Sequence, residues 1–64
     1  MDIKRIHGRL VEIDVAGLEG DGYIAVGIIQ VGLPHEIGMR FDAKGGDPEE
    51  ARCRVEAEIE AYFA

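Results

Sequence analysis

The chain changes its hydrophobic period once. Up to about residue 46, apolar and polar positions tend to alternate. From Asp47 onward, apolar positions recur every three or four residues. That order predicts strands first and a single helix last. A first strand is expected over residues 4–15, with Val11, Ile13 and Val15 on one face and Leu10, Glu12 and Asp14 on the other. Gly8 interrupts this alternation and reads as a bulge. Residues 16–22, rich in glycine and containing the dipeptide Asp21-Gly22, turn the chain.

The second strand, over residues 23–31, carries apolar side chains on both sides. Ile24, Val26 and Ile28 point one way; Tyr23, Ala25, Ile29 and Val31 point the other, with Gly27 among them. An antiparallel meander normally turns one polar face to water. A single helix covers one face of such a sheet, so the second apolar face needs another cover. Gly32-Leu33-Pro34-His35 makes the next turn. A third strand is expected over residues 36–43, with Ile37, Met39, Phe41 and Ala43 opposed to Glu36, Gly38, Arg40 and Asp42.

The helix start is the clearest local signal. Asp47 suits the N-cap, Pro48 the first helical position, and Glu50 can reach back to a free backbone N–H. The spacing of Ala51, Val55, Ile59, Tyr62 and Phe63 predicts an apolar stripe on a helix over residues 48–63.

These elements predict one α+β domain over residues 1–64: a three-stranded antiparallel meander with one C-terminal helix packed on one face (βββα). They also predict a contact surface for a second copy. Its expected residues are Leu10, Tyr23, Ala25, Ile29 and Val31, with Gly27 allowing close backbone approach. The opposite set Ile24, Val26 and Ile28, again with Leu10, is the other choice. A long exposed edge on the first strand offers strand addition as a second route.

Size and charge sharpen this picture. A chain of 64 residues buries only about 60% of its unfolded surface, and small domains commonly add a disulfide, a metal or an oligomer. One cysteine excludes an internal disulfide, and no Cys/His spacing suggests zinc, which leaves oligomerisation. Seven basic against thirteen acidic residues give a net charge of −6. That balance disfavours nucleic acid and anionic membrane surfaces. Lys4, Arg5, His7 and Arg9 form a local basic patch, expected to be solvated and paired with acids across the sheet. No apolar run is long enough to cross a membrane, and the first residues lack the apolar core of a signal peptide; with a lone cysteine, this predicts the cytoplasm.

Few residues suggest chemistry. Cys53 between Arg52 and Arg54 has the flanking cations that favour a thiolate, but it lies in mid-helix beside the apolar stripe and reads as a small packing residue. His7 and His35 fall on a strand and in a turn, without metal-ligand spacing. Gly17, Gly20 and Gly22 precede a strand rather than a helix, so they are turn residues and not a phosphate loop. Gly45-Gly46 before the helix is already crowded by acids. The expectation is therefore a protein without catalytic residues, cofactor or metal.

The stretch Asp21-Gly22-Tyr23-Ile24-Ala25, the helix start Asp47-Pro48-Glu49-Glu50-Ala51 and the helix end Ile59-Glu60-Ala61-Tyr62-Phe63 resemble the N-terminal part of HicB-type antitoxins. The element order βββα is similar too, and it also resembles small bacterial βββα proteins of uncharacterised activity. The antitoxin resemblance, with the acidic charge, implies an alternative: an antitoxin-like or immunity-like protein that neutralises a basic partner.

Overall fold

The computed structural model describes residues 2–64. Four strands and one helix follow in order: β1 (Asp2–Ile6), β2 (Arg9–Gly17), β3 (Tyr23–Val31), β4 (Arg40–Gly45) and α1 (Pro48–Phe63). The strands form one antiparallel sheet in sequence order. The α+β class and the terminal helix match expectation, whereas the sheet has four strands instead of three.

The extra strand comes from a hairpin at His7-Gly8. Both residues sit in the left-handed region, with φ of 47° and 79°. Two consecutive left-handed residues make the tight turn whose twist matches that of paired strands. Ile6 therefore pairs with Arg9 and Lys4 with Val11. The expected bulge at Gly8 is a chain reversal. The irregularity lies further on: Leu10 pairs with Val31 but Val11 with Ile29, so Gln30 is the extra residue.

The strand expected over residues 36–43 also shifts. Residues 34–38 are turn, closed by Glu36 N–H to the Leu33 carbonyl (2.8 Å), and Gly38 takes φ 89°. Pairing resumes at Met39, whose carbonyl accepts from the Ile29 N–H, and β4 runs on to Gly45. The predicted alternation of Phe41 and Ala43 against Arg40 and Asp42 is retained there.

Helix α1 covers residues 48–63 as its pattern predicts. Asp47 caps it, Oδ1 accepting from the Glu50 N–H at 2.8 Å. The Glu50 carboxylate accepts from the Gly46 N–H rather than from that of the cap residue. Ala51, Val55 and Ile59 are fully buried against Val11, Ile13, Ala25 and Ile29 of the sheet, with Ile6 closing one side.

Two glycines let the helix approach. A Cβ on Gly45 would lie 2.4 Å from the Ala51 backbone nitrogen, and one on Gly27 would lie 2.8 Å from Ile59 Cδ1. The closeness expected at Gly27 thus serves the chain's own helix and not a second backbone.

Candidate interaction surface

Helix α1 decides which face of β3 stays open. Its partner face comprises Tyr23, Ala25, Gly27 and Ile29, with Ala25, Gly27 and Ile29 buried. These residues, expected to form an intermolecular contact, lie in the core instead. Phe41 and Ala43 pair with Gly27 and Ala25, and Val11 with Ile29, so neighbouring strands bring their apolar sides to the same layer.

The opposite face is built from the second expected set. Ile24, Val26 and Ile28 form its central row and are each half-buried. Leu10 and Val31 join them at one end. Alternation alone would put Val31 with Ile29, but the extra residue Gln30 shifts the parity, and Val31 faces Leu10 directly. Gly32 confirms the shift, since a Cβ there would meet Ile29 and Arg9 on the helix side. Ile3 of β1, paired with Glu12, extends the apolar patch toward the edge; Ile3 and Val31 are 55% and 52% exposed.

Polar side chains flank this row unequally. On the open face β2 carries Glu12 and Asp14, while β4 carries Arg40, Asp42 and Lys44. Arg40 is ion-paired with Asp42, and Gln30 donates to Glu12 at 3.3 Å. Among the described residues, the one helix packs on the other face, and the open face has no element over it.

A partly buried ion pair secures the end of the sheet nearest Val31. Arg9 donates through Nε and Nη2 to the two Glu36 oxygens at 3.0 and 2.6 Å, and through Nη1 to the His7 carbonyl at 2.8 Å. Glu36 is only 4% exposed and also accepts from the Leu33 N–H at 2.9 Å. The Arg9 hydrogen bond outweighs burial and holds the Glu36 carboxyl down to about 2. The guanidinium sits 4.2 Å above the Phe63 ring, which ties the helix end to both turns. A shallow hollow of about 410 Å³ lies here, lined by His7, Arg9, Val31, Leu33 and Glu36. Its charged groups are already committed to each other.

The remaining candidates separate in space. Cys53 is exposed, with Sγ 3.9 Å from a Glu49 oxygen. Its flanking arginines turn elsewhere: Arg52 to Asp2, and Arg54 to Glu50 and the Lys44 carbonyl. His7 occupies a hairpin turn rather than a strand, and His35 is an exposed turn residue 4.0 Å from Glu36. No group of three His, Cys, Asp or Glu among the described residues is arranged to hold a metal. Lys4 of the basic patch reaches the helix residue Glu56 at 2.6 Å, a contact that raises the Lys4 pKa, rather than an acid across the sheet. Among the described residues, no helix is long and apolar enough to cross a membrane. Comparison with protein-family models, with curated proteins and with solved structures finds no match to this chain.

Proposed function

We propose that this chain is a non-catalytic interaction protein that pairs with a second copy through the open face of its sheet. The observation behind this reading is the row Ile24, Val26 and Ile28, continued by Leu10 and Val31, on a face that no element of the described chain covers. The outer face of an antiparallel sheet is ordinarily polar, and a contiguous apolar patch there marks a contact surface. The face is at the small end of what a stable pair uses. Four strands about 4.8 Å apart and up to nine residues long at about 3.3 Å each make a plane of roughly 19 by 30 Å. A standard interface takes about 800 Å² per partner, about a fifth of the 4053 Å² surface. The setting proposed is the cytoplasm, where a single exposed thiol stays reduced.

Sedimentation equilibrium of the wild type and of Val26→Lys tests this. The wild type dimerises at micromolar concentration, and the charge at the centre of the row converts it to a monomer with unchanged circular dichroism. A wild type that remains monomeric throughout overturns the proposal.

A further inference from the structure

We infer that the two copies are related by a two-fold axis running along β3, in the plane between the sheets, so that β2 of each copy lies over β4 of the other. This rests on the self-association proposed above and adds its symmetry and the charged residues that select it.

Two sheets that stack face to face in a closed dimer are related by an axis lying between them. In the aligned class of sheet packing, strands stay within about 30° of each other. The axis therefore runs roughly along the strands or roughly across them. Both choices stack β3 on β3 and bury Ile24, Val26 and Ile28 alike, so burial of that central row does not select between them. The flanking charges do.

An axis across the strands lays β2 on the partner's β2. The open face of β2 consists of Leu10, Glu12, Asp14 and Ala16, with no cation. With that axis on the Val26 row, Glu12 falls over the partner's Ala16 and Arg40 over the partner's Lys44, so Glu12 meets no cation and two pairs of cations face each other at the rim of an apolar contact, where like charges are unfavourable. An axis along β3 lays β2 on the partner's β4, which carries Arg40 and Lys44.

The register makes the pairing specific. Glu12 and Arg40 both pair with Ile28, from opposite sides of β3, and so share one row. Rotation about β3 leaves the height along the strand unchanged. It therefore sets Glu12 opposite the partner's Arg40, and by symmetry Arg40 opposite the partner's Glu12. Ala16 and Lys44 share the Ile24 row, so each Lys44 extends over a small side chain. Asp42 falls opposite Asp14, a like-charge meeting that Arg40, between Asp42 and the partner's Glu12, offsets in part.

Charge reversal gives the test. Glu12→Arg alone and Arg40→Glu alone each place two like-charged meetings in the dimer, and each weakens self-association about tenfold or more. In an equimolar mixture of the two variants the reversed charges meet each other, and a heterodimer forms with affinity near that of the wild type. Native mass spectrometry with one chain isotopically labelled reads the species, and circular dichroism confirms that both variants are folded. If Glu12→Arg alone tightens the dimer, or the mixture fails to recover it, the axis assignment is overturned while self-association stands. If the wild type never dimerises, the underlying reading fails first.

Discussion

Arg9 and Glu36 are joined by two hydrogen bonds of 3.0 and 2.6 Å across 27 positions of sequence, and the carboxylate is almost wholly buried. The pair pins the turn after β3 to the start of β2, beneath the Phe63 ring. Its carboxyl is held at about 2 against an ordinary 4.5, chiefly by the Arg9 hydrogen bond. The folded-state pKa is depressed, so the stabilisation is fully present above about pH 4.5 and is lost as pH falls toward 2. Glu36→Gln is expected to lower the melting temperature by several degrees at neutral pH and to flatten its dependence on pH between 4.5 and 2. Thermal denaturation across that window checks it; an unchanged acid profile would show that the pair contributes little.

Ile28 and Ile29 are neighbours in sequence on opposite faces of β3. Ile29 is 1% exposed under the helix, whereas Ile28 is half-buried on the open side. Truncating Ile29 to Ala is expected to destabilise the fold by about 2–4 kcal/mol. Ile28→Ala should cost the fold about 1 kcal/mol or less while weakening self-association. Urea denaturation of both variants beside sedimentation separates the two effects. A large loss of stability for Ile28→Ala in a monomeric sample would place that face within the fold's own core.

Gly45 and Gly27 are both closely approached, but by different things. At Gly45 the obstacle is the Ala51 backbone at 2.4 Å; at Gly27 it is the tip of the Ile59 side chain at 2.8 Å. A side-chain tip can move and a helix backbone held by its cap cannot. Gly45→Ala is therefore expected to destabilise by about 3 kcal/mol, against about 1 kcal/mol for Gly27→Ala. Pairing Gly27→Ala with Ile59→Val should show favourable coupling in a double-mutant cycle. Equal losses at the two glycines would contradict this account.

Asp47 closes the first turn of α1 through its bond to the Glu50 N–H. Asp47→Ala is expected to cost about 1 kcal/mol, and Asp47→Ser to retain most of that stability. Chemical denaturation of the two variants measures the difference.

The half of the fold that rests on local chemistry was readable in advance. Asp47, Pro48 and Glu50 mark the helix start within four residues, and the spacing of Ala51, Val55 and Ile59 marks its buried stripe. The four strands were less legible. The turn at His7-Gly8 lacks an Asn-Gly or Asp-Gly signal, so alternation alone presents its glycine as a bulge in one long strand. Alternation alone sets Glu36 among the polar positions of a strand, because nothing near it in sequence signals Arg9, the partner that draws it inward.

The sequence by itself determined that the chain forms an antiparallel sheet with one terminal helix, and that its central strand is apolar on both sides. Periodicity and capping are local properties, and they suffice for that. Only the tertiary structure decided which of those two sides remains open. A helix stripe can dock on either face, and the choice follows from the register with β4, the space at Gly27 and Gly45, and the bulge at Gln30 that turns Val31 outward. Each of these depends on contacts between segments far apart in sequence, where alternation along one strand carries no information.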